Sequence, residues 1–312
     1  MVFEGSEKKI EVIVSPGVGD LRKMGKSFWA RIVSKCDAEI ISEIKNNQVH
    51  AYLLSESSLF VWEYSFLMIT CGRTSLINSL IEVCLEFGKE NIEDVIFQRK
   101  NEYFSHMQKS AFYDDVKKID SLKPSKAWRL GNIDGHHNFV FNYSKNGKWD
   151  AGDKTFELLM YNLPTQVGEL LRKQGVSAKS VRDYLGVESL FQNFTIDDWV
   201  FDPYGYSLNA IRDDYYYTIH LSPEENGSYV SLETNDSTLE GQNIISHFCE
   251  RLRPKSFDVI SFNWHESYDS EIYQLVDSCE QSLENGLAVK FCQYVDTKNI
   301  KSSNGYLLFE HK

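Results

Sequence analysis

Short runs of β-branched and aromatic residues recur along this chain and set its character. Residues 10–14, 50–55, 58–62, 138–143, 215–221 and 229–232 each predict a strand. Between them lie one-sided helical patterns. Thr74 or Ser75 is placed to cap a helix whose apolar face carries Leu76, Leu80, Val83, Cys84 and Phe87, with Gly88 ending it. A second pattern runs through Ile244, Ile245, Phe248, Cys249 and Leu252 until Pro254 stops it, and a third through Ile272, Leu275, Val276 and Cys279 towards Gly286. Strand runs punctuated by one-sided helices predict an α+β fold, with antiparallel sheets covered on one face by helices. The order of strands then helix occurs loosely twice, which suggests a duplication, although no residue-level repeat is visible. Residues 100–125 and 134–153 read as loops rather than domain breaks, so the 312 residues are expected to form a single domain.

Composition narrows the classes. With 33 Lys plus Arg against 45 Asp plus Glu, the formal charge is −12, which disfavours a nucleic-acid partner. The six cysteines, Cys36, Cys71, Cys84, Cys249, Cys279 and Cys292, are scattered without CxxC spacing or histidine partners, so no metal site is expected. Cys84, Cys249 and Cys279 fall on the apolar helical faces and read as small core residues. Charged residues within the first nine positions predict no signal peptide, and no apolar run approaches the ~20 residues that cross a bilayer. The expectation is a soluble cytoplasmic protein without a membrane partner.

Six segments carry a more specific signal. They are Phe3-Glu4-Gly5-Ser6-Glu7-Lys8, Leu54-Ser55-Glu56-Ser57-Ser58-Leu59-Phe60, Thr70-Cys71-Gly72, Phe201-Asp202-Pro203-Tyr204-Gly205-Tyr206-Ser207, Thr218-Ile219-His220-Leu221-Ser222-Pro223-Glu224, and Tyr229-Val230-Ser231-Leu232-Glu233-Thr234-Asn235. In this order and spread over most of the chain, they resemble the eukaryotic-type S-adenosylmethionine decarboxylase family. The resemblance implies a four-layer αββα sandwich of two antiparallel sheets with helices on the outer faces. It also implies a lyase, made as a zymogen, that decarboxylates S-adenosylmethionine for spermidine and spermine biosynthesis.

The cofactor so implied is a covalent pyruvoyl group made from Ser57, with no pyridoxal phosphate and no metal. Ser57 Oγ would attack the Glu56 carbonyl, and the resulting ester would break by loss of the Cα proton of residue 57. Hydrolysis of the dehydroalanine then leaves pyruvoyl at the head of chain 57–312, separate from chain 1–56. The resemblance gives His220 and Ser207 to this processing. The pyruvoyl carbonyl forms a Schiff base with the substrate amine and takes up the electron pair released with CO₂. Cys71 matches the proton donor of that reaction, and a thiol protonated at neutral pH suits the duty. Phe3 and Phe201 match an aromatic pair around the adenine, Glu224 the carboxylate on the ribose hydroxyls, Glu56 a backbone contact to the adenine edge, and Glu4 and Glu7 residues needed for activity. Read from the residues alone, Cys71 is a core cysteine, His220 an inert strand histidine, Ser207 a loop hydroxyl and the two glutamates surface acids.

Animal members of the family bind putrescine as an activator in an acidic pocket, for which Glu11, Asp153, Thr155, Glu157 and Glu233 are the matching positions. The lysine usual two positions before the cysteine is Ile69 here, and the aromatic expected near Phe97 is Ile96. Plant-type members carry a basic residue near the position of Lys9 that stands in for putrescine, so Lys9 is expected to do the same and putrescine stimulation to be weak or absent. Retention of Asp153 speaks against this. Tyr204 and Asp202 replace a frequent cysteine and asparagine. Family members occur as monomers or homodimers, and no interface signal decides between them. Two rival readings are a catalytically dead partner of a true decarboxylase and a thiol hydrolase using Cys71 with His220. The first is disfavoured by the presence of all four residues Ser57, Cys71, Ser207 and His220, the second by the want of an orienting third group.

Overall fold

The computed structural model describes residues 7–103, 105–147, 154–202, 204–224, 227–264 and 267–298. In chain order the first half contains β1 (Lys8–Val14), α1 (Gly25–Ser34), β2 (Ile40–Lys45), β3 (His50–Leu54), β4 (Ser57–Val61), β5 (Ser65–Thr70), α2 (Leu76–Phe87), β6 (Ile92–Arg99), α3 (Phe112–Lys118), β7 (Ser125–Gly131) and β8 (His137–Ser144). The second half contains β9 (Thr155–Tyr161), α4 (Thr165–Leu171), α5 (Ala178–Leu185), α6 (Val187–Leu190), β10 (Thr195–Val200), β11 (Tyr206–Arg212), β12 (Tyr215–Ser222), β13 (Tyr229–Thr234), α7 (Gly241–Leu252), β14 (Ser256–Phe262), β15 (Tyr273–Ser282) and β16 (Ala288–Asp296). Among the described residues these strands form two eight-stranded sheets, ordered β2-β3-β4-β5-β1-β6-β8-β7 and β10-β11-β12-β13-β9-β14-β16-β15. The second order is the first with eight added to every strand number. The loose repeat visible in the sequence is therefore a repeat of topology, with β1 and β9 each inserted at an interior place of its sheet.

Alternation along the strands builds the layers. Ile10, Val12, Leu59, Val61 and Met68 turn outward and pack with Trp29, Leu80 and Phe112 of α1, α2 and α3. In the second sheet Leu158, Leu208, Ile219 and Leu232 pack with Leu185, Ile244 and Phe248 of α5 and α7. The opposite faces meet each other: Ile96 and Val140 with Leu159, Ile260 and Phe262, and Phe60 and Ile69 with Ile211 and Tyr216. Three apolar seams thus separate four layers, helix, sheet, sheet and helix, in the sandwich expected. The sheet-to-sheet seam differs from the outer two in admitting many polar side chains, among them Glu7, Lys9, Ser58, Lys100, Glu157, Asn209, Thr218, His220 and Glu233, all buried.

Three sequence expectations change. Residues 272–279 do not form a helix; they belong largely to the edge strand β15, whose exposed Leu275 and Val276 and half-buried Cys279 mimic a helical stripe. Cys279 accordingly sits on a strand, accepting the Gly131 N–H at 3.2 Å. Residues 100–125, read as a loop, contain α3, while within 134–153 the strand expected at 138–143 is present as β8. At α2 the N-cap is Ser75, but its side chain caps nothing, and Thr74 Oγ1 instead donates to the Cys71 carbonyl at 3.0 Å and lies 2.9 Å from the Thr70 hydroxyl.

Candidate active site

The β3–β4 hairpin turns at Ser55-Glu56 and delivers Ser57 to the start of β4. Ser57 has φ of +144°, a conformation that L side chains rarely adopt. In a regular strand Ser57 would share the outward face of Leu59 and Val61, while Ser58 and Phe60 face the second sheet. The positive φ breaks that alternation. Ser57 Oγ and Ser58 Oγ, though consecutive, both reach His220 Nε2, at 2.8 and 3.2 Å.

The carbonyl preceding Ser57 is also held. Glu56 O accepts the backbone N–H of Cys71 at 2.9 Å and its thiol at 3.2 Å. Two donors on one carbonyl oxygen form an arrangement that favours negative charge developing there. Cys71 follows β5 directly, and Gly72, at φ of +64°, turns the chain away behind it. Burial pushes the Cys71 thiol well above its ordinary pKa, with Glu56 and Glu7 adding to the rise, so the thiol stays protonated. Lys8 Nζ donates to Gly72 O at 2.9 Å, and burial together with Arg99 lowers its pKa to about 8.

His220 lies in β12 opposite Ser207 in β11, and its Nδ1 is 3.0 Å from Ser207 Oγ. Its Nε2 is also 2.9 Å from Thr218 Oγ1. Burial lowers its pKa to about 4, with Glu7 opposing and Lys100 reinforcing the shift. The ring is therefore neutral at physiological pH and available as a base. Its described contacts are hydroxyls rather than Cys71, which leaves the thiol-hydrolase pairing without geometric support.

Behind this group lies a chain of buried charges. Glu7 accepts from Ser231 Oγ and from Lys100 Nζ, the latter at 2.8 Å. Lys100 reaches on to Glu157 at 3.2 Å and Glu233 at 3.5 Å, and Lys9 lies 3.0 Å from Glu157 and 2.8 Å from Glu233. Tyr216 donates to Glu233 at 2.7 Å, and the Lys9 ammonium sits 5.3 Å from the centre of the Phe262 ring. Burial alone would push both lysines down, but Glu157 and Glu233, with Glu7 for Lys100, hold them above the ordinary range. Both are ammonium ions, as a buried carboxylate cluster requires.

Of the residues singled out from the sequence, Glu56, Ser57, Cys71, Ser207 and His220 converge, and Glu7, Lys9, Glu157 and Glu233 join in the adjoining charged chain. Thr155 is buried at the start of β9, and Glu11 adds to the field that raises Lys9. Phe201 lies in the turn before β11, and Glu224 follows β12, both half-buried. Phe3, Glu4 and Asp153 lie outside the described residues. Sequence reasoning missed Lys8, Ser58, Lys100, Asn209, Thr218 and Ser231 as members of the site. For Asn209 and Thr218 the available signal was position, since each stands two residues from Ser207 or His220 on the same strand face.

A two-sheet sandwich with a strained serine, a neutral histidine on its hydroxyl and two donors on the preceding carbonyl defines a class of protein that gathers a nucleophile, a base and carbonyl-polarising groups at one peptide bond. The adenosylmethionine decarboxylase family profile matches residues 1–310. The S-adenosylmethionine decarboxylase proenzyme of Xenopus laevis is 31% identical over 313 residues, covering 94% of this chain and 92% of that protein. That of Dictyostelium discoideum is 31% identical over 280 residues, covering 82% of this chain and 73% of that protein. The crystal structure of the Trypanosoma brucei AdoMetDC-delta26 monomer superposes with a TM-score of 0.61 at 25% identity, covering 76% of this chain and 98% of that one. The chain belongs to the adenosylmethionine decarboxylase family, enzymes of the carboxy-lyase type. Among the described residues no helix is long and apolar enough to cross a membrane, and no group of three or more His, Cys, Asp or Glu side chains is placed to hold a metal ion.

Proposed function

We propose that this chain is a proenzyme that cuts itself between Glu56 and Ser57 and then decarboxylates S-adenosylmethionine, giving an aminopropyl donor for polyamine synthesis. The observation that carries the reading is Ser57 itself, strained at φ of +144° with its hydroxyl 2.8 Å from His220 Nε2.

The cutting is derived from groups in place. Ser57 Oγ attacks the Glu56 carbonyl carbon while the Cys71 N–H and S–H stabilise the charge on its oxygen. The Glu56 C–N bond breaks as the C–O bond forms, the hydroxyl proton ends on the freed nitrogen of residue 57, and release of backbone strain favours the move. His220, held by Ser207, then takes the Cα proton of residue 57, and the Glu56 carboxylate departs. Chains 1–56 and 57–312 result.

Water then hydrolyses the dehydroalanine left at position 57 with loss of its nitrogen as ammonia, and the resulting pyruvoyl group would supply a carbonyl that condenses with an amine and draws away the electron pair of a departing carboxylate. Around it Cys71 holds a proton for delivery to the substrate carbon, its thiol kept protonated by burial. Phe3 and Phe201 would take the adenine with the Glu56 backbone on its edge, Glu224 the ribose hydroxyls, and Glu4 with Glu7 would support turnover. Lys9 is proposed to stand where a diamine activator would pair with Glu11, Asp153, Thr155, Glu157 and Glu233. Its ion pairs with Glu157 and Glu233 support that reading.

Denaturing electrophoresis with mass spectrometry of the purified protein tests the proposal. Two chains that join at Glu56/residue 57, with the longer one blocked to N-terminal sequencing, are expected. A single chain that stays intact through prolonged incubation at neutral pH sinks it.

A further inference from the structure

Two buried side chains beside His220 have no part in the reaction as described above. Asn209 and Thr218 form the cross-strand pair next to Ser207 and His220, on the same face of β11 and β12, and both are sealed from solvent. Asn209 Oδ1 accepts from Ser58 Oγ at 2.5 Å and from Thr218 Oγ1 at 3.1 Å. Those two oxygens are 3.0 Å apart, and both look onto His220 Nε2. A hydroxyl has one proton to give and lone pairs to receive with. When Ser58 and Thr218 give theirs to Asn209, what they present to Nε2 is acceptor oxygen.

We propose that Asn209 and Thr218 are positioning residues for the base step of self-cleavage, holding hydroxyl oxygens ready for the proton that His220 Nε2 removes. The inference rests on the self-cleavage reading above. In that step the electron pair of the Cα–H bond of residue 57 becomes the second bond between Cα and Cβ. The Cβ–Oγ bond breaks, Glu56 leaves as carboxylate with its electron pair, and the proton ends on Nε2. The imidazolium so formed is buried, where an unmatched charge is unfavourable. Its Nδ1–H donates to Ser207 Oγ, and its new Nε2–H finds Thr218 and Ser58. Thr218 acts as a rotor with two acceptors, Nε2 at 2.9 Å and Asn209 Oδ1 at 3.1 Å. While Nε2 carries a lone pair the hydroxyl can point to it; once Nε2 is protonated, the hydroxyl turns to Asn209 and its oxygen receives. The first step, attack by Ser57 Oγ, does not need this pair, which separates the proposal from a general role in packing.

The test is a time course of chain cleavage in Thr218→Val, Thr218→Ser and Asn209→Leu, with hydroxylamine added to the uncut material. Hydroxylamine at neutral pH splits an ester and spares an amide. Thr218→Val and Asn209→Leu are expected to cut at least about tenfold more slowly, as loss of a hydrogen bond to a charged group predicts. Their uncut chain should fall apart at residue 57 with hydroxylamine, because it waits as the Glu56 ester. Thr218→Ser, which keeps the rotor, should cut within about threefold of the parent. Cleavage of Thr218→Val at the parental rate, or uncut Thr218→Val that resists hydroxylamine, overturns the assignment. A parent chain that never cuts removes the self-cleavage reading and this inference with it, an outcome distinct from a parent that cuts beside an unaffected variant.

Discussion

Lys9 and Ile69 face each other across the β1–β5 pair, on the side turned to the second sheet, and Lys9 sends its ammonium to Glu157 and Glu233 from there. A lysine at position 69, which the resemblance implies, would therefore start one strand away from Lys9 on the same face. Lys9→Met leaves Glu157 and Glu233 to Lys100 alone, and a broken buried pair should cost about 3–5 kcal/mol of unfolding free energy. The double variant Lys9→Ile with Ile69→Lys should recover most of that loss in urea titrations. A double variant no more stable than Lys9→Ile alone would refute the equivalence of the two positions.

The same ion pairs predict a response to diamines. The parent enzyme should show less than a twofold change in decarboxylation rate when putrescine is added. Lys9→Met, with its carboxylates short of a cation, should gain several-fold. Stimulation of the parent by the larger factor, with none in the variant, would reverse the roles assigned to Lys9.

Ser57 stores conformational energy, and glycine reports it. Neither Ser57→Ala nor Ser57→Gly can cut, since both lack the hydroxyl. They differ in that glycine adopts φ of +144° freely, whereas alanine keeps the strain. Ser57→Gly should therefore be more stable than Ser57→Ala by about 1–3 kcal/mol. Equal melting curves for the two variants would mean that the backbone holds no such strain.

As the proposed base, His220 should set the acid limit of self-cleavage. Its pKa, lowered to about 4 by burial, leaves the ring neutral above that value, and acid removes the base by protonating it. The cleavage rate should stay level as pH falls from neutrality and halve near pH 4. A ring of ordinary basicity would instead halve near ~6.5. Stopped-time electrophoresis over buffers on both sides of these values distinguishes the two.

The same reading gives Cys71 a proposed role before turnover. Its thiol and its N–H share the Glu56 carbonyl oxygen, so Cys71→Ala removes one donor of two. Self-cleavage of this variant should slow on the order of tenfold without stopping, because the backbone donor remains. An unchanged cleavage time course would confine the thiol to the later chemistry.

Much of this architecture was legible in the residues, and the exceptions have physical causes. The strands around Ser57 and His220 announce themselves by β-branched and aromatic runs, and α7 by its apolar stripe. The edge strand β15 did not, because Leu275, Val276 and Cys279 stand at spacings that a helix would also use, and no core pairing was visible to choose. The group Ser58, Asn209 and Thr218 was hidden for another reason. Ser58 is about 150 residues from Asn209 in the chain, and only the meeting of the two sheets brings them together. The φ of Ser57 was likewise unreadable, since serine carries no signature for positive φ.

The interior place of β1 bears on what a cut chain can do. Residues 1–56 contain β1, β2 and β3, and β1 lies between β5 and β6, both in the remainder. A piece released before Ser57 would have to tear the first sheet down its middle to escape. Under the proposed cut, one translated polypeptide would become a two-subunit protein whose parts fold together before they are separated and stay interleaved in one sheet on dilution.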